Sequence, residues 1–277
     1  MLVAKRQGLW QYRGQRCQLL LATFLSLLTR CQAMGPCDAT GGGHSSTSGL
    51  CKVRLAFRFD RRELVDFIQA RKEESPSYKV IDLGGAMIAG TPLGEAMLVD
   101  AFMDILEPPP GSSSLTFVGD ANEPEGWESV LTYVQSHGKF DLAICSHTLE
   151  DLRNPVLVSR RMQMIAKAGF VAVPSKHEEL NRWIQSEGRW RGYLHHRWIY
   201  DFNASGGHVL AFPKLTWTEW VGDFDLLVDP ARERQELQFW WQTELPLRVF
   251  NEDFMGPNGS VLIYDYTVAL LQNMSQL

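Results

Sequence analysis

From Cys51 onward, short apolar runs ending in a polar residue alternate with longer amphipathic stretches. The runs are "YKVIDL" (78–83), "AMLVD" (96–100), "LTFVGD" (115–120), "FDLAICS" (140–146) and "GFVAVPS" (169–175). They are continuous rather than alternating, which is the pattern of strands covered on both faces of a mainly parallel sheet. Between them, Arg61 to Lys72, Gly126 to Ser136 and Pro155 to Lys167 are predicted helices. In the first, Leu64, Val65, Phe67 and Ile68 share one face, and Ser75-Pro76 stops it. Past Ser175 the pattern changes. "HHRWIYDF", "HVLAFPKLTWTEWV", "LQFWWQTELPLRVF" and "GSVLIYDYTVALL" predict aromatic-rich antiparallel strands that complete the sheet and cover its ligand site.

The expected fold is therefore α/β: a doubly wound, mainly parallel, Rossmann-like sheet with antiparallel C-terminal strands. Ligands of such folds sit beyond the carboxyl ends of the strands. Asp82, Asp100, Asp120 and Ser146, each closing an apolar run, are expected together on that rim.

The first fifty residues differ from the rest. Lys5, Arg6, Arg13, Arg16 and Arg30 face one acid, Asp38, so this segment carries +4 and leaves −9 of the net −5 to the remainder. An acidic folded part argues against nucleic-acid binding. The basic stretch leads into "CQLLLATFLSLL" and then a glycine- and serine-rich run. Residues 1–50 are read as a targeting or anchoring segment with a flexible linker, and 51–277 as the folded domain. The leader implies the secretory pathway, a membrane surface or an organelle, with the cytoplasm as the alternative. Its apolar run is short against the ~20 residues needed to span a bilayer. Cys17, Cys31, Cys37 and Cys51 cluster there, without a C-x-x-C pair, so neither a zinc site nor a disulfide scaffold is expected.

Asp82-Leu-Gly-Gly-Ala suits a backbone that approaches a ligand closely, through Gly84 and Gly85. A carboxylate at Asp100 can accept both hydroxyls of a ribose, or simply close a turn. Asp120 can accept from an adenine amino group while the Ala121 N–H faces the ring; its bland alternative is an Asx turn. His195 and His196 follow the long loop from Lys176 to Tyr193, either as proton acceptors over the cleft or as histidines bonded to strand backbone. His177, His195 and His196 lack the spacing of a metal motif, and no metal is predicted. Cys145, in an apolar strand with no base beside it, reads as inert.

The order "VIDLGG", "LVD", "GDANEP", "FDLAICSHTLEDL", "GFVAVPS" resembles class I S-adenosylmethionine-dependent methyltransferases. More narrowly, it is similar to a small-molecule subgroup with a "DxGG" first loop, "ICSHxLED", "HHRW" (His195 to Trp198) and a late aromatic strand, here "QFWWQTE". The resemblance spans about Tyr78 to Phe250, and the first loop departs from the usual glycine pattern at Ala86. It implies S-adenosylmethionine as cofactor, with Asp82, Gly84 and Gly85 at the methionine part. Asp100 would take the ribose, Asp120 and Ala121 the adenine, and Ser146 and His147 the sulfonium side. The expected activity is methyl transfer to O or N of a small acceptor, a sugar among the candidates. His196, His195 and His147 are the catalytic candidates, His196 or His147 serving as auxiliary base. Two other readings stand beside it. One is a catalytically weak relative that works through partners, using Trp183, Trp190, Trp217 and Trp220. The other is a nicotinamide-dependent reductase, which the missing pyrophosphate-binding glycines disfavour.

Overall fold

In the computed structural model the described residues are 49–85, 98–107, 115–185, 187–227, 234–250 and 266–270. In chain order the elements are β1 (Leu50–Phe57), α1 (Arg62–Glu74), β2 (Val80–Leu83), β3 (Ala101–Asp104), β4 (Leu115–Val118), α2 (Glu128–His137) and β5 (Phe140–Ser146). There follow α3 (Pro155–Ile165), β6 (Ala166–Pro174), a short α4 (Lys176–Glu179), β7 (Trp198–Asn203), β8 (His208–Pro213), α5 (Asp223–Leu227), β9 (Gln235–Gln242) and β10 (Leu247–Val249).

Seven strands form one sheet in the order β1-β9-β6-β5-β2-β3-β4. All pairings among β2 to β6 are parallel, while β9 runs antiparallel to both β6 and β1. The fold is thus the expected mainly parallel α/β sheet, with one inverted strand inserted near its edge. The order reverses at β2, between β3 on one side and β5 on the other, which is the switch point where open α/β sheets bind ligands.

Apolar residues on both faces of the central strands account for its two cores. Leu64 and Ile68 of α1 pack on Val80, Leu142, Ile144, Phe170 and Trp240. On the opposite face, Val130 of α2 and Val158, Met162 and Ile165 of α3 pack on Ile81, Ala143 and Val171. Burial of each such side chain contributes about 1.5–3 kcal/mol. Asn154 caps α3 by accepting from Leu157 N–H at 2.9 Å, and Pro155 occupies its first turn, where a missing N–H costs nothing. Gly169 is required by packing, because a Cβ there would lie 2.4 Å from the Trp241 indole.

Several expectations change. The "AMLVD" run does not end a strand at Asp100: β3 begins one residue later, and Asp104 closes it. The aromatic C-terminal segments divide. β9 enters the main sheet, while β10, β8 and β7 form a separate three-stranded sheet in which β10 and β8 are parallel. "TWTEW" is a 3-10 helix, and Tyr266 to Leu270 of the last predicted strand is helical, packing with Phe212 and Phe224. The sequence pattern passed over β1. Cys51, on that strand, is disulfide-bonded, a bridge not anticipated from the cysteine spacing. No helix among the described residues is long and apolar enough to cross a membrane. The targeting segment lies outside the described residues.

Candidate active site at the carboxyl ends of the strands

The β2–β4 rim is sparsely built. β2 ends in Gly84, whose φ of 78° lies in the left-handed region. A Cβ at this position would fall 2.4 Å from Thr148 Oγ1, and Thr148 belongs to the turn that follows β5. The backbone after β2 therefore meets the Thr148 side chain here, with no room for a Cβ. Asp82 is buried within β2, and burial, only partly countered by Arg61, pushes its carboxyl up to about 8. It is therefore largely neutral at pH 7, not an ionised rim residue. Asp100 stands at the opposite, amino end of β3. Its carboxylate accepts from Val80 N–H at 2.7 Å and pairs with Lys72 at 2.8 Å, a structural role away from the rim. Asp104 occupies the carboxyl end instead and accepts from Leu106 N–H at 3.0 Å. Asp120, just past β4, accepts from Asn122 N–H at 2.9 Å, the geometry of an Asx turn. The Ala121 carbonyl accepts from the Trp127 indole at 3.0 Å, which fixes this turn against the start of α2.

Beyond β5, β6 and β9 the rim is crowded with buried charge. β9 delivers Glu236 opposite Pro174, at the carboxyl end of β6. Its fully buried carboxylate accepts from His147 Nε2 at 2.7 Å, from Gln238 Nε2 at 2.5 Å and from the Arg61 guanidinium. Burial would raise the Glu236 carboxyl, but the bonds from His147 and Arg61 outweigh it and hold it at about 2. Arg61 also donates to Ser146 Oγ at 2.5 Å, so Ser146 is tied to this network. His147 adopts a φ of 50°, with its N–H on the Ala172 carbonyl at 2.9 Å. Its Nδ1 lies 3.2 Å from Glu150 Oε1. Burial disfavours the imidazolium, but Glu150 and Glu236 together raise its pKa above the ordinary value. An imidazole biased towards its cation in this way is less available as a general base.

His196 is buried, and its Nδ1 contacts Glu179 Oε1 at 2.5 Å. Glu179 is in turn paired with Lys214 at 2.7 Å. The carboxylate at Nδ1 fixes the tautomer, so the lone pair resides on Nε2, which points towards Glu150 and Asp151 at 4.0 and 3.9 Å. His195 is exposed, with Nε2 3.9 Å from Asp151 Oδ1. The loop carrying both histidines is pinned by Arg191, fully buried and donating to the carbonyls of Leu180, Thr218 and Val221 at 2.7, 3.1 and 3.0 Å. Trp183, Trp190 and Trp220 are exposed, while Trp217 packs on Tyr266. Cys145 is buried and its thiol pushed up, chiefly by burial, as an inert cysteine should be.

The structure thus brings His147, Ser146, His195 and His196 to one end of the sheet beside Gly84, and leaves Asp100 at the other end. Sequence reasoning missed Arg61, Glu150, Glu179 and Glu236. Glu150 lies in the "ICSHxLED" motif without having been given a role, and Glu236 and Gln238 left a signal as polar residues at alternating positions inside an aromatic strand.

No protein-family profile matches this chain, and no curated protein sequence is significantly similar to it. Among solved structures, the methyltransferase domain of a bacterial Hen1 is 10% identical, with 67% of this chain and 100% of that one covered and a TM-score of 0.35. An S-adenosylmethionine-dependent methyltransferase from Mesorhizobium loti is 11% identical, covering 59% of this chain and 90% of that one, TM-score 0.32. The N-terminal domain of EvdMO1, solved with S-adenosylhomocysteine bound, is 11% identical over 66% of this chain and 84% of that one, TM-score 0.33. Overlaps this weak add nothing to the fold assignment, which rests on strand order and direction.

Proposed function

We propose that this chain transfers a methyl group from S-adenosylmethionine to an oxygen or nitrogen of a small, polar acceptor. The carrying observation is the meeting at Thr148 of two unlike halves. A glycine-ended β2 with rim acids Asp104 and Asp120 lies on one side, and carboxylate-oriented histidines lie on the other. The residues suit the cofactor: Gly84 and Gly85 leave backbone open beside β2, Asp104 stands where a ribose-binding acid belongs, and Asp120 follows β4. Bound there, the cofactor supplies a methyl group activated by a sulfonium.

The chain's own contribution is positioning and proton handling. Glu179 holds the proton on His196 Nδ1, leaving the Nε2 lone pair turned to the acceptor side. His147, whose cationic form Glu150 and Glu236 favour, orients polar groups of the acceptor. The loop from Lys176 to Tyr193, fixed by Arg191, forms the acceptor side.

Calorimetry with S-adenosylmethionine, its demethylated product and NADH tests the reading. The first two are expected to bind and NADH not to. Binding of NADH alone, or of none by a folded protein, overturns it.

A further inference from the structure

Glu150 is the most conspicuous group on the acceptor side. It is completely buried, and the contact of His147 Nδ1 with Oε1 at 3.2 Å leaves its other oxygen, Oε2, without a hydrogen bond. A buried carboxylate left in this state costs several kcal/mol unless a cation faces it. Among the described residues, no lysine or arginine forms an ion pair with Glu150 or with Asp151 beside it. What surrounds them is imidazole: His147 Nδ1 at 3.2 Å from Glu150, and His196 Nε2 within 4.0 Å of both acids. Asp151 Oδ1, His195 Nε2 and His196 Nε2 all lie within 4.8 Å of one another.

From these contacts we infer that Asp151, His195 and His196 form a divalent transition-metal site, with Glu150 as the buried countercharge or fourth ligand. Ligand atoms ~2.1 Å from a common ion stand ~3.0–3.4 Å apart, or ~4.2 Å across an octahedron. The observed separations are therefore closed by small rotations, and Asp151 and His195 are exposed enough to make them. The orientation of His196 is independent support. A metal-binding imidazole almost always donates its other N–H to a carboxylate, and Glu179 receives that bond here. Two imidazoles and carboxylate oxygens suit zinc, manganese, iron(II) or cobalt better than calcium or magnesium. The exposed side of His195 leaves coordination positions open to an oxygen of the acceptor. The inference deepens the acceptor half of the proposed function, but the cation site does not depend on cofactor binding.

The test uses the full chain, stripped with chelator and titrated with Zn²⁺ by calorimetry and with Co²⁺ by visible absorption. One equivalent is expected to bind, with cobalt bands of a nitrogen–oxygen site. Asp151→Asn combined with His195→Ala changes only exposed side chains and should keep the fold, checked by its melting transition. It is expected to weaken binding by at least about 100-fold. His208→Ala, a histidine outside the cluster that contacts its own turn, should bind as the parent does. No uptake at about 1 mM cation, or equal uptake by the folded double variant, overturns the site. S-adenosylmethionine binding measured on the same samples separates the two claims. Cofactor binding without cation uptake removes the metal site alone, and cation uptake without cofactor binding removes the methyltransferase reading alone.

Discussion

The two halves of the rim are built on opposite principles. Around β2, β3 and β4 the site consists of strand ends, a glycine in a left-handed conformation and short turns, with the acids bonded to nearby backbone. Around β5, β6 and β9 it consists of side chains brought together from Arg61, His147, Glu179, His196 and Glu236 and locked by buried ion pairs. The first half holds by backbone geometry, so its chemistry is carried by local pattern. The second holds by long-range electrostatics in a low-dielectric setting, where each charge depends on its partner.

If that contrast is right, the heaviest loss should come from the charged half. Glu236→Gln leaves the Arg61 guanidinium buried without its countercharge and should destabilise the protein by ~3–5 kcal/mol in urea unfolding. A loss below ~1 kcal/mol would mean the network is not a locked unit. His196→Ala should lower turnover by about 10²-fold with cofactor affinity nearly unchanged in calorimetry. Unchanged turnover would return His196 to a purely structural role. On the glycine side, Gly84→Ala imposes strain at positive φ and a clash with Thr148, expected to cost ~1–3 kcal/mol in thermal melting. Adding Thr148→Ala should recover only the steric part, because the backbone strain remains.

Smaller effects sharpen the comparison further. Asp104→Ala should weaken S-adenosylmethionine binding about tenfold, or ~1.4 kcal/mol. Asp100→Ala should spare binding and lower stability through the lost Val80 and Lys72 contacts; the reverse result would restore Asp100 to the rim. Asp82 supplies a pH signature. With its pKa raised to about 8 in the folded chain, the folded state holds a proton that the unfolded state releases in the ordinary carboxylate range. Stability should therefore decline from roughly pH 4 to about 8, with a limiting slope of ~1.4 kcal/mol per pH unit from this group. Asp82→Asn should remove that component of the slope, and an unchanged denaturation profile would contradict it.

The same contrast explains what was legible in the sequence. Continuous apolar runs gave β2, β4, β5 and β6 and the helices between them, because burial on both faces leaves a local mark. The Asp100 register failed because "AMLVD" looks like a strand ending in an acid. In fact β3 takes the following four residues, and Ala101 pairs with Ile81. The turn carrying His147 could be located from its strand. The acids that orient the histidines could not, since Glu179 and Glu236 reach them only through tertiary pairing. β1 escaped notice because a half-buried edge strand lacks the continuous apolar signature.

That edge strand also bears on how the chain reaches its folded state. Among the described residues β1 pairs only with β9, and the Arg54–Gln238 bond joins them across 184 residues. Neither strand can complete its pairing until β9 has been made, so sheet closure is a non-local event. High contact order of this kind slows folding, through the entropy of closing so long a loop. During synthesis β1 would wait as an unpaired edge, the state in which a sheet protein is most exposed to association with another chain. The strand that places Glu236 in the site also ends this exposure, so the acceptor half of the rim is assembled in the same event that closes the sheet.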